Sequence, residues 1–290
     1  MFDSLWQVLP RDEAGEGPAV VLLHAGIADR TMWSEHLEPL AEAGFRALAL
    51  DLSGFGEASP LSDEQAPWLD VLATMDALGL HEAVLVGNSF GGAVALRVAL
   101  VAPDRVSGLA LISAPAPGIS PGPELRAALE AEREALGRGD LDEAVAAVVE
   151  AWTLPDAPTE LLERIATMQR RAYEHQAEGS TGAWLSAEGS EAEEPGEAGS
   201  GGSEAEAGDA TGPADPLGED PQLLGSVRVR TLVTVGEHDR PEFLRAAGVL
   251  TQHLPDARLQ VIAGAGHLAP LEAPEAFREI LLAFLREGQD

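Results

Sequence analysis

The sequence predicts an α/β fold with a doubly wound, mostly parallel sheet, and three observations carry that prediction. Six short apolar runs punctuate the chain, each is continuous instead of alternating, and the stretches between them carry helical periodicity. Continuous runs are what strands covered on both faces look like, and β–α alternation is what parallel neighbours need for their crossovers. With 290 residues the chain can bury a sizeable core.

The runs are Ala19 to Leu23, Phe45 to Leu50, Ala83 to Val86, Leu109 to Ile112, Thr231 to Val235 and Leu259 to Ile262. Helical stretches follow from Met32 to Ala43, from Trp68 to Leu78, and from Gly91 to Val101, where Pro103 stops the pattern. The last opens at Pro274 and sets Phe277, Ile280, Leu281, Phe284 and Leu285 on one face. Between Ile112 and Thr231 lies more than a simple crossover. Pro123 to Arg138, Asp140 to Ala151 and Pro158 to Gln176 are helical by period, with Asp140 and Thr159 as expected N-caps.

One segment breaks the composition. From Ala187 to Pro213 there is no Val, Leu, Ile or aromatic residue, and ten acids lie between Glu178 and Asp215. Such a stretch cannot offset its ordering entropy by burial, so 178–216 reads as a disordered acidic insertion. The expected organisation is a core domain over 1–117, helices over 118–177, the insertion over 178–216, and the second part of the core over 217–290.

Charge and composition exclude several classes. The 18 basic residues, all Arg, face 49 acidic ones, for a formal charge of −31. Without Lys there is no Schiff-base amine and no P-loop lysine; without Cys there is no disulfide, thiolate nucleophile or thiolate metal site. So negative a chain repels nucleic acid and anionic lipid. No apolar run reaches 18 residues, and Met1 to Pro10 is too short and acidic for a signal peptide, so a cytoplasmic setting is expected.

Gly87-Asn88-Ser89-Phe90-Gly91 fits G-x-S-x-G, with an apolar strand leading in and a helix leading out. That is the setting of a nucleophile elbow, where Gly87 and Gly91 permit the turn and Ser89 is exposed above the sheet. The competing reading is a glycine-rich turn with an idle serine. A serine needs a base and a group that orients it. His267, in Gly264-Ala265-Gly266-His267 after the last strand, falls at the same carboxyl edge as Ser89. His24 ends a strand and reads as structural, while His36, His81, His175 and His253 belong to helices and are expected to face solvent. His238 is a competitor for the base. Gly236-Glu237-His238-Asp239 follows the fifth run and supplies the acid: Asp239, with Glu237 in reserve. Asp239 could instead merely cap the helix that follows. Two N–H donors are needed for an oxyanion: Phe90, after the nucleophile, and Gly26, with Ala25 as alternative.

These motifs, with Asp51-Leu52-Ser53-Gly54-Phe55-Gly56, resemble the α/β-hydrolase superfamily in order and across nearly the whole chain outside 178–216. The resemblance implies a serine hydrolase with the triad Ser89, Asp239 and His267 and a helical cap over the site. Gly-Asn-Ser-Phe-Gly-Gly and His-Ala-Gly-Ile-Ala-Asp are most similar to meta-cleavage carbon–carbon hydrolases and enol-lactonase-like members. It implies a small-molecule substrate (an ester, a lactone or a vinylogous ketone), no cofactor and no metal, and no nucleic-acid or membrane partner. Other readings are a cofactor-free haloperoxidase on the same triad and a non-catalytic ligand-binding member. The chain departs from the superfamily at Ala25, where Gly is usual, and at Ser53, where Arg is common. Of the usual amino-terminal hairpin only Leu5 to Val8 is expected to remain. Trp33 and Trp68 are expected to pack, and Trp152 and Trp184 to pack or line the site.

Overall fold

The computed structural model describes residues 6–60, 66–178, 213–218 and 220–288. Seven strands form one sheet: β1 (Arg11–Ala14), β2 (Ala19–Leu23), β3 (Arg46–Leu50), β4 (Ala83–Asn88), β5 (Val106–Ile112), β6 (Thr231–Gly236) and β7 (Ala257–Ile262). Their order is β1-β3-β2-β4-β5-β6-β7, and every pairing is parallel except β1 with β3. The chain steps outward from β2 to β3, then returns past β2 to β4. The strand order therefore reverses between β2 and β4, and the crevice beyond their carboxyl ends is where open α/β sheets bind ligands.

The crossover helices are α1 (Ser34–Glu42), α2 (Pro67–Ala77), α3 (Phe90–Val101) and α7 (Pro241–His253), with α9 (Pro274–Glu287) after β7. Helix α1 packs on α9, and α2 on α3. Every residue of β2, β4 and β6 is buried, as continuous apolar runs require. Trp33 and Trp68 are buried in this core.

Two strands depart from the sequence reading. Strand β1 is Arg-Asp-Glu-Ala, so the amino-terminal remnant extends beyond the expected Leu5 to Val8. Its charged, exposed side chains conceal it from a search for apolar runs, and they also blunt the free edge against pairing with other chains. At the opposite edge, β7 is not covered on both faces: Arg258 to Val261 are exposed, Leu259 and Val261 among them, and only Ile262 is buried.

Three helices, α4 (Pro123–Gly137), α5 (Leu141–Trp152) and α6 (Thr159–Glu178), lie between β5 and β6. Asp140 caps α5 by accepting from the N–H of Glu143 at 3.0 Å. Thr159 is the first helical residue of α6 instead of its cap, and the Pro158 carbonyl accepts the first bonds. Trp184 and most of the acidic segment fall outside the described residues. The segment's end does not fit the expected disorder: Asp215 pairs with Arg97 of α3 through both carboxylate oxygens, at 2.8 and 2.5 Å, and Leu217 beyond it is buried. Among the described residues no helix is long and apolar enough to cross a membrane.

Candidate active site

Strand β4 ends at Asn88 and α3 begins at Phe90, which leaves Ser89 alone to make the turn. Its backbone sits at φ 52° and ψ −114°, a conformation that costs an L-residue about 1–3 kcal/mol. The surroundings impose it. Ser89 N–H donates to the Ile112 carbonyl at 2.8 Å, and the Ser89 carbonyl accepts from Ala93 at 3.0 Å. A Cβ on Gly87 would lie 2.3 Å from the Gly91 backbone, and one on Gly91 would lie 2.3 Å from the Leu23 carbonyl oxygen. Side chains are thereby excluded from both positions, and the turn packs directly on β2. The Gly91 N–H also donates to the His24 carbonyl at 3.0 Å, which fixes the loop after β2 beside the elbow.

His267 follows β7 and lies buried next to Asp239, which follows β6. Its Nδ1 donates to Asp239 Oδ1 at 3.0 Å. Because an ionised carboxylate only accepts, this bond puts the ring proton on Nδ1 and leaves Nε2 with a lone pair. Burial works against the charge of Asp239, but His267, the Ser113 hydroxyl and the Arg240 N–H hold its pKa below the usual carboxylate value. Asp239 takes the Arg240 N–H at 2.8 Å, while the N-cap of α7 is Arg240 itself, without a side-chain cap. Asp239 thus serves the histidine and does not cap the helix.

Glu237 and His238 are exposed and point elsewhere. Glu237 accepts from the Gly264 N–H at 3.0 Å, so the reserve acid holds the histidine loop's backbone and not its ring. The elbow and that loop are joined by Asn88, whose Nδ2 donates to the carbonyls of His267 and Ile112, both at 3.1 Å. Ser89 and His267 are not hydrogen-bonded to each other in this structure; catalytic contacts of this kind often form only with substrate present.

The oxyanion candidates meet at the β2–β4 crevice. A Cβ on Gly26 would lie 3.5 Å from Cβ of Phe90, which brings the two candidate donor residues together. Ala25 is buried, and its carbonyl accepts from Ala28 in the same turn. His24 is fully buried; its Nε2 accepts from the Leu52 N–H at 2.9 Å and its Nδ1 meets the Ala25 carbonyl at 2.8 Å. Burial holds its pKa below the ordinary histidine value, as suits a neutral structural ring.

Three expectations about histidines fail. His36 is buried, not solvent-facing: it stacks edge-on against Trp33 and Phe277 and bonds the Pro270 carbonyl at 3.0 Å. His175 and His253 are half-buried, and Nδ1 of His253 meets the Val249 carbonyl at 3.0 Å. A helical position close to large apolar residues can turn a histidine inward, and helical periodicity alone does not separate that from exposure.

The helical insertion reaches the site. The ring of Trp152, the last residue of α5, lies 4.5 Å from that of His267, and Phe243 of α7 lies 4.3 Å from the same ring. Arg240 donates from Nε and Nη2 to the Ala151 carbonyl, at 2.9 and 2.5 Å, and so ties α5 to the segment that carries Asp239. Asn88, Ser113, Phe243 and Arg240 were not singled out by the sequence. Asn88 and Ser113 each end or follow a strand at the carboxyl edge, which is a usable signal; Phe243 and Arg240 show none. Among the described residues no group of three or more His, Asp or Glu side chains could hold a metal ion.

A family profile described as the alpha/beta hydrolase fold matches residues 18–274. The chain is 31% identical over 294 residues to a 2-hydroxy-6-oxo-6-phenylhexa-2,4-dienoate hydrolase from Burkholderia cepacia, with 96% of this chain and 91% of that one covered. Among solved structures, a thermophilic esterase from Thermogutta terrifontis superposes with a TM-score of 0.73 at 24% identity, covering 97% and 94% of the two chains. The enol-lactonase from Burkholderia xenovorans gives a TM-score of 0.72 at 22% identity, covering 96% of each. At such identities these two structures speak for the fold alone. The profile match spans most of the chain, from the start of β2 to the start of α9, and the chain belongs to the alpha/beta hydrolase fold family.

Proposed function

We propose that the protein is a serine hydrolase in which Ser89 is the nucleophile, His267 the general base and Asp239 the group that orients it. The observation that carries the reading is the placement of a strained serine after β4 at the same sheet edge as a buried His–Asp pair. The Asp239 bond leaves Nε2 of His267 as the basic nitrogen. That nitrogen takes the proton as Ser89 Oγ attacks the substrate carbonyl. The N–H of Phe90, with that of Gly26 or Ala25, takes the oxyanion of the tetrahedral intermediate. His267 returns its proton to the leaving group, and water, activated by the same nitrogen, releases the acyl group and regenerates Ser89.

For the substrate we propose a vinylogous ketone cleaved at a carbon–carbon bond, with small esters and lactones as the other candidates. The 31% identity across nearly the whole of a dienoate hydrolase supports the first choice. Steady-state rates on a dienoate ketone, a lactone and an aryl ester test it, with Ser89→Ala as control. The expected result is highest kcat/KM on the ketone and loss of all three activities in Ser89→Ala. Preference for the ester or lactone would overturn the substrate choice, and an active Ser89→Ala would overturn the nucleophile.

A further inference from the structure

The loop that carries His267 spans a few residues with almost no secondary structure, so each of its peptide groups must be held individually. Glu237 accepts from the Gly264 N–H, the His238 N–H donates to the Ala265 carbonyl at 2.8 Å, and Nδ2 of Asn88 donates to the His267 carbonyl. A further contact comes from Glu272. It ends the single-turn helix α8 (Ala269–Glu272), whose Leu268 carbonyl accepts from the Glu272 N–H at 3.0 Å. Its Oε2 accepts from the Gly266 N–H at 2.7 Å, one residue before His267. Its Oε1 is buried without a hydrogen-bond partner.

A carboxylate with a buried, unpaired oxygen is costly to desolvate. Its surroundings are those of the site: a Cβ on Gly266 would lie 3.2 Å from Oε1 and 2.9 Å from Leu154, which follows α5. Helix α8 is itself held from behind by His36, which bonds the Pro270 carbonyl. Burial, with a smaller contribution from the charge of Asp239, raises the Glu272 pKa, while the backbone N–H of Gly266, the neighbouring His267 and the backbone N–H of Leu268 oppose that rise.

We propose that Glu272 is a positioning residue for His267: its carboxylate, by holding the Gly266 N–H, fixes the backbone from which the imidazole meets Ser89. The proposal rests on the assignment of Ser89 and His267 given above. It distinguishes three side chains. Glu272→Met fills the space and accepts nothing; Glu272→Gln keeps an acceptor at the same reach; Glu272→Asp keeps the charge but is one methylene too short.

The test is kcat and KM on p-nitrophenyl acetate, with the rate of Ser89 labelling by a fluorophosphonate measured on the same full-length variants. Loss of positioning by about 1 Å costs on the order of 100-fold. Glu272→Met and Glu272→Asp should therefore lose roughly 30- to 100-fold in kcat and in labelling rate, with KM within about threefold. Glu272→Gln should stay within about fivefold of the wild type. If Glu272→Met does not fold, the Gln and Asp variants decide between themselves. A Met variant near wild-type rate, or an Asp variant as fast as Gln, overturns the proposal. Absence of any Ser89 labelling in the wild type overturns instead the nucleophile assignment on which the proposal stands.

Discussion

The turn after β4 and the loop after β7 bring Ser89 and His267 to one edge of the sheet, and they are held by different means. At the elbow, backbone lies against backbone: Gly87 against Gly91, Gly91 against Leu23, and Ser89 forced to positive φ between them. The histidine loop is held by side chains drawn from three places, Asn88 at the end of β4, Glu237 and Asp239 after β6, and Glu272 in α8. The first arrangement admits no Cβ and should fail as a unit. The second is a set of separate polar contacts, each of which can be removed with its own effect.

The largest predicted effect separates the contacts on the loop. Asp239→Asn should lower kcat by about 10⁴-fold, because an amide favours the wrong imidazole tautomer. Glu237→Gln removes a charge from an exposed contact to the Gly264 N–H and should cost less than about tenfold, in keeping with a hydrogen bond worth roughly 1 kcal/mol. Parallel kinetics on the two amide variants check this. Equal losses would mean that Glu237 also serves the ring.

Next comes the contrast in glycines. Gly91→Ala forces a Cβ into the Leu23 carbonyl and should destabilise the fold by about 3 kcal/mol. Gly264, at φ 70° with open space around it, should tolerate Ala at a cost of about 1 kcal/mol. Urea unfolding midpoints of the two variants measure the difference, and a Gly264→Ala variant as unstable as Gly91→Ala would remove the distinction between the turns.

These differences also explain what the sequence made legible. The elbow could be read because its cause is local: two glycines and a serine between an apolar strand and a helix. Asp239 and His267 could be read as the residues that follow strands at the same edge. Glu272 and Asn88 could not be placed on the loop, because their roles depend on which residues distant in sequence meet in space, and Glu272 reads as one acid among 49. The same limit hid β1, whose four residues pair antiparallel with β3, and His36, whose helix turns it inward onto Trp33 and Phe277.

The smallest predicted effect concerns that histidine, which supports α8 from behind. Burial lowers the pKa of His36, and the Pro270 carbonyl only partly offsets it. The unfolded chain therefore takes up the proton first as pH falls below about 6.5, and the stability that neutral His36 contributes above that value is lost on acidification. His24 behaves in the same direction in both proteins and cancels in a comparison. Between pH 7.5 and 5.5 the wild type should lose more thermal stability than His36→Gln. Equal losses would show that His36 does not titrate differently on folding.

In the function proposed above, the strained serine after β4 is the nucleophile activated by the His267–Asp239 pair. Treatment of the intact protein with a fluorophosphonate, followed by peptide mass analysis, tests it most directly. The predicted result is one adduct on Ser89, absent from Ser89→Ala and slowed by orders of magnitude in His267→Ala. An adduct on another residue, or one on Ser89 that forms at the same rate without His267, would contradict the claim.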